Sequence, residues 1–78
     1  MDTLKEIQRI IATALGTQLD RVRADAKASD LPEWDSLHHF IVVMDIEAAF
    51  GFKFALEEVA EMDSVEKILQ AVRKRVSV

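Results

Sequence analysis

The segment Ser36–Phe50, SLHHFIVVMDIEAAF, sets the terms on which this chain can fold. Pro32 keeps Leu31 extended and breaks the chain ahead of the segment, and Gly51 stops it, so the spacing predicts a helix over 36–50. Wound as a helix, it is apolar over much of its circumference. One arc holds Leu37, Phe40, Ile41, Met44 and Ala48, and a second, overlapping arc holds Val43, Ile46 and Phe50. A helix apolar nearly all round is either deeply buried or keeps one face for a partner. In a chain of 78 residues complete burial is difficult, because a domain this small encloses a limited fraction of its surface.

The rest of the chain offers this helix neighbours. Thr3 with Glu6 makes a capping-box pattern ahead of Leu4, Ile7, Ile10, Ile11, Ala14 and Leu15, which recur at helical spacing. A helix over 3–15 follows, with Gly16 as its stop. Residues 17–35 lack sustained periodicity and are long for a loop in so small a domain. Such loops are often functional or contain a helical turn of their own. Leu19, Val22, Ala26 and Leu31 are the expected pins to the core. Phe52 and Phe54 alternate with Lys53 in a short extended connection, and Leu56, Val59 and Met62 mark a short helix near 56–61. Asp63 with Glu66 repeats the capping logic before a last amphipathic helix carrying Val65, Ile68, Leu69, Val72 and Val76. Arg73, Lys74 and Arg75 suit its negative C-terminal end. The expected fold is all-α: one domain over 1–78, a four-helix bundle of three longer helices and one short one, with the long loop after the first.

Composition narrows the function. Half the residues are hydrophobic and 31% are charged, so the chain folds rather than staying disordered. It has no cysteine, hence no disulfide, thiolate metal site or cysteine nucleophile. Lys5, Glu6 and Arg9 interrupt any signal-like stretch, and the apolar run Phe40–Met44 is too short to span a bilayer. A cytoplasmic, monomeric protein without membrane attachment is expected. The net charge is −4, unevenly spread. Between residues 28 and 70 only Lys53 and Lys67 are basic, against Asp30, Glu33, Asp35, Asp45, Glu47, Glu57, Glu58, Glu61, Asp63 and Glu66. That acidic middle repels nucleic acid and steers basic partners.

One hydroxyl stands out. With Asp35 as N-cap, its carboxylate accepts a first-turn N–H, and Ser36 occupies the first helical position with its hydroxyl free. Unpaired N–H groups and the helix dipole favour a phosphate there. Asp63-Ser64-Val65 nearly copies Asp35-Ser36-Leu37, so the tripeptide alone does not mark a site. His39 stands three residues beyond Ser36, but no third group or oxyanion hole is evident, which argues against a serine hydrolase. Adjacent His38 and His39 point apart on a helix and make a poor metal pair; both are expected as surface residues or partner contacts. Ser36 is expected to be a substrate, and no catalytic or metal-binding residue is assigned.

Residues 30–50, DLPEWDSLHHFIVVMDIEAAF, resemble the attachment-site region of acyl carrier proteins, and the order and spacing of the other elements extend the resemblance over nearly the whole chain. The resemblance implies that Ser36 carries 4'-phosphopantetheine, donated by coenzyme A through a phosphopantetheinyl transferase, with Asp35 and Leu37 completing the motif. It implies a non-catalytic carrier whose intermediates ride on a borrowed thiol between acyl-loading and acyl-using enzymes in fatty acid or polyketide biosynthesis. The two arcs then take different jobs, one lining the core and one facing visiting enzymes through Leu37, Phe40, Ile41, Met44 and Glu47. It also separates Ser36 from Ser64, which is left as helix-start chemistry.

The chain departs from that family in two places. Pro32-Glu33-Trp34 replaces a small, often glycine-containing turn, and Trp34 is expected to cover the end of the core rather than contact a partner. Ile41 and Ala48 stand where acids are common in fatty-acid carriers, and His38-His39 replace a polar pair, which points to a specialised pathway. The alternative from another class is an unmodified helical adaptor that binds partners through helix 36–50.

Overall fold

The computed structural model describes residues 2–76, with the side chains described as far as Arg75. Four helices run in order: α1 Thr3–Leu15, α2 Ser36–Phe50, α3 Leu56–Glu61 and α4 Val65–Val76. Two single 3₁₀ turns, Leu19–Arg21 and Ala28–Asp30, break up the long loop. No strand forms among the described residues; the sole β-pairing there is an isolated bridge between Lys27 and Ser64. The expected all-α bundle, with three longer helices and one short one, is the fold observed.

Each long helix is delimited by side-chain or glycine chemistry. α1 is capped by Asp2, whose Oδ1 accepts from Lys5 N at 3.3 Å, so Thr3 is the first helical residue and not the cap expected for it. A carboxylate both accepts the N–H and opposes the positive helix end, which Thr3 cannot do. Gly16 closes α1 at φ 69° and Gly51 closes α2 at φ 79°, in the left-handed region that a side chain disfavours. α4 is capped by Ser64, whose Oγ accepts from Lys67 N at 3.1 Å, and not by Asp63. Asp63 is drawn into the loop instead: its carbonyl accepts from Ala28 N at 2.8 Å, while Val65 N donates to Ala26 O at 3.0 Å.

α1 packs against both α2 and α4. Ile7, Ile11 and Leu15 of α1 meet Val42, Val43 and Ile46 of α2 and Val65, Ile68 and Val72 of α4 in one core, closed by Val59 of α3 and by Met62 just beyond that helix. Full burial of each such side chain contributes about 1.5–3 kcal/mol before entropy is set against it. The loop reaches this core through Val22, Ala26 and Leu31, and Gln8 Nε2 tethers it by donating to Val22 O at 2.9 Å. Leu19, expected as a fourth pin, is 54% exposed. It opens the 3₁₀ turn, and Val22, the residue that ends that turn, is the one buried. Leu56 is exposed as well, because it holds the first position of α3 while Val59 and Met62 carry the packing. Val76 lies on α4, but its side chain falls outside the described residues.

Packing divides α2 sharply. Val42 and Ile46 are wholly buried, whereas Met44 is 62% exposed. Ile46→Val should lower stability by about 0.5–1.5 kcal/mol. Each kcal/mol lost should lower Tm by about 4–8 °C in a domain of this size. Met44→Ser should stay within about 0.5 kcal/mol of the parent chain. Thermal unfolding followed by far-UV circular dichroism compares the two.

Candidate functional site

Asp35 holds an extended backbone, φ −95° and ψ −174°, immediately before α2. Its Oδ1 accepts from His38 N at 2.9 Å and lies 2.8 Å from His38 Nδ1. The carboxylate therefore spends itself on the cap and on the neighbouring imidazole. Its pKa is held below the ordinary 3.8, chiefly by the His38 backbone N–H and next by the His38 side chain. Ser36, one residue on, is exposed and is not the cap. At Ser64 the same tripeptide has the opposite outcome, because that hydroxyl is occupied by Lys67 N and only 9% of the residue is exposed.

Ser36 lies on the rim of a shallow cleft of about 370 Å³, bounded also by Ala28, Trp34, Asp35, His39, Ala60 and Asp63. Trp34 is buried, as expected for a residue covering the end of the core. Its Nε1–H donates to His39 Nδ1 at 3.0 Å, and the two rings stack with centroids 6.1 Å apart. His39 Nε2 lies 2.8 Å from Val59 O on α3. His39 is thus an internal bridge rather than the surface residue expected. Its pattern was not legible, because Trp34 and Val59 have no periodic relation to it in the sequence. Both imidazoles take partners other than Ser36, so no serine–histidine pair is assembled.

From Ser36 an apolar stripe runs along α2. Leu37 is 67% exposed and Phe40 54%; Met44 and Ala48 continue the row, with Ile41 half-buried beside it. The stripe follows the first arc of the sequence pattern, while Val43 and Ile46 of the second arc are buried and Val42 joins them. Glu47 lies partly enclosed on the flank, and its Oε2 accepts from Phe54 N at 2.8 Å. Among the described residues no group of three or more His, Cys, Asp or Glu side chains could hold a metal ion. No helix there is long and apolar enough to cross a membrane.

No family model matches the chain. Among curated proteins, one named acyl carrier protein from Rubrobacter xylanophilus is 32% identical over 71 residues, covering 91% of this chain and 88% of that protein. The chain belongs to the acyl carrier protein family. Membership agrees with the four-helix bundle and with the resemblance read around Asp35-Ser36-Leu37. Within this acyl carrier protein family fold, the glycine-poor turn Pro32-Glu33-Trp34 is secured from both sides. Trp34 anchors it inward, and Arg21 pairs with Glu33, whose pKa is lowered by a backbone hydrogen bond and then by that guanidinium.

The Asp35 cap has a definite pH signature. Its folded pKa is depressed, so its stabilisation is complete above the ordinary 3.8 and is lost as pH falls through the lower folded value. Asp35→Asn keeps a capping oxygen but cannot titrate. Thermal unfolding from neutral pH into acid should show a shallower acid loss of Tm for the variant than for the parent chain.

Proposed function

We propose that this chain is an acyl carrier whose Ser36 hydroxyl receives 4'-phosphopantetheine from coenzyme A through a separate phosphopantetheinyl transferase. The observation that carries this reading is the release of Ser36 from capping: Asp35 takes the N–H, and the hydroxyl stays exposed at the head of α2. The residues present suit the group. An exposed oxygen at the start of a helix of 15 residues can become the bridging oxygen of a phosphodiester, and the first-turn amides favour the anion. The arm supplies a thiol, on which acyl-type intermediates are held as thioesters; the chain, lacking cysteine, has none of its own.

Asp35 and Leu37 complete the attachment motif. Leu37, Phe40, Ile41 and Met44, flanked by Glu47, form the surface offered to the transferase and to acyl-loading and acyl-using enzymes. Apolar contact dominates that surface where Ile41 and Ala48 replace acids, which supports a specialised biosynthetic pathway over housekeeping fatty-acid synthesis. The protein acts as a cytoplasmic monomer and carries out no chemistry on its cargo.

Incubation with coenzyme A, magnesium and a broad-specificity phosphopantetheinyl transferase should add the mass of one phosphopantetheine. Ser36→Ala should abolish the addition and Ser64→Ala should retain it; the reverse pattern refutes the assignment. Isolation from the native host as an unmodified chain bound to a stable protein partner would instead identify an adaptor working through the same stripe. Ile41→Glu should leave Tm nearly unchanged while altering affinity for enzymes that load or use the carrier, measured by titration calorimetry.

A further inference from the structure

We propose that His39 bolts the seam between α2 and α3 at its Ser36 end and thereby sets the cargo class: short acyl groups that stay outside the bundle, not long alkyl chains sheltered within it. On the carrier reading, which this proposal presupposes, cargo is tethered at Ser36 and meets the seam from that end.

Side-chain bonds cross the seam at both ends. At the far end, Glu47 of α2 accepts from Phe54 N at 2.8 Å, just ahead of α3. At the Ser36 end, His39 Nε2 lies 2.8 Å from Val59 O. An indole N–H can only donate and a carbonyl oxygen can only accept. Nδ1, 3.0 Å from Trp34 Nε1, is therefore the accepting nitrogen, and Nε2 carries the hydrogen given to Val59 O. One ring on α2 thus holds the buried Trp34 with one nitrogen and α3 with the other.

An alkyl chain entering here meets a polar mouth and a filled interior. The shallow cleft that Ser36 borders has Asp35, His39 and Asp63 on its walls. Beyond it, Val43 and Ile46 of α2 and Phe54 and Val59 across the seam are already buried in one cluster. Methylenes pushed among them would replace apolar contacts that exist, so little apolar area is gained. They would also part His39 from Val59 and bring no hydrogen-bonding group in exchange, leaving a part-buried donor unpaired. α3 has six residues and no side-chain bond to its cap position. So short a helix stays where its fasteners hold it, and His39 is the fastener beside Ser36.

Acetyl, hexanoyl and decanoyl forms can be made from the matching coenzyme A thioesters with a broad-specificity phosphopantetheinyl transferase, each confirmed by intact mass. Cleavage of the thioester by hydroxylamine is then timed against the same thioester on coenzyme A. In the parent chain that ratio should be the same for all three, and the Trp34 indole and Val59 amide signals in ¹H–¹⁵N NMR should not move with chain length. In His39→Ala the decanoyl form should be cleaved about tenfold more slowly than the acetyl form, the worth of sheltering roughly two methylenes, with the Val59 signal displaced. His39→Gln, whose amide can accept from Trp34 and donate to Val59, should match the parent chain. Protection of the decanoyl thioester in the parent chain, or its absence in His39→Ala, would overturn the proposal. If His39→Ala does not fold, the parent series still decides: protection that grows with chain length overturns the proposal, and uniform cleavage upholds it. A chain that gains no mass from any of the thioesters overturns the carrier reading and the proposal with it, a failure told apart before any cleavage is timed.

Discussion

The rotation of α2 about its own axis is the constraint on which the rest of the molecule depends. Val42 and Ile46, one turn apart and both at 0% exposure, lock that rotation against the core. Once they point inward, helical geometry decides every other residue of the segment. Leu37, Phe40 and Met44 must face out, Val43 must face the core, and His39 must project toward α3. The exposed apolar row is therefore no failure of burial. A helix apolar nearly all round cannot hide every face in a domain of this size, and the face left over is the one that begins at Ser36.

α3 is organised on a different principle. Six residues cannot sustain a helix by backbone hydrogen bonds alone, and Val59 and Met62 give it only a small apolar footing. Polar side chains from elsewhere complete the attachment. Glu47 of α2 accepts from Phe54 N, and Arg75 of α4 pairs with Glu58 and donates to Lys53 O at 2.9 Å. Arg75 also lies over the rings of Phe52 and Phe54, at 5.8 and 5.7 Å. The sequence suggested that Arg75 served the C-terminal dipole of its own helix; its guanidinium reaches across to the short one instead. Elements held by a few polar fasteners open more readily than those held by buried apolar area. The molecule thus pairs a rigid frame of α1, α2 and α4 with one small helix whose docking rests on side-chain chemistry.

That division also explains which parts of the structure could be read from the residues. α1 and α2 were legible to the residue, because sustained apolar periodicity and a terminal glycine mark both ends of the argument. The division of α2 into a buried and an exposed apolar face was legible for the same reason. Helix starts were less so: at both α1 and α4 two adjacent residues could serve as cap, and the Asp2 carboxylate takes the role over Thr3 while the clip to the long loop favours Ser64 over Asp63. Leu19 was misread because a 3₁₀ turn has no period long enough to announce its direction. His39 was illegible, since it joins a residue five positions back to one twenty positions ahead, and only the folded chain brings them together.

The two Asp-Ser pairs show how a local motif acquires its meaning from its neighbours. At Asp63-Ser64 the chain is clipped to the long loop on both sides, Asp63 O by Ala28 N and Ala26 O by Val65 N. That bridge makes Ser64 the last extended residue before α4, which is the definition of a cap position, and its hydroxyl is consumed there. At Asp35-Ser36 the preceding turn is held differently, by Trp34 N donating to Leu31 O and by the indole on His39. The extended residue falls one position earlier, Asp35 becomes the cap, and the serine moves onto the helix with its oxygen outside. A shift of one residue in where the helix begins converts a structural hydroxyl into an available one. Trp34, buried and bonded to His39, is what holds that start in position.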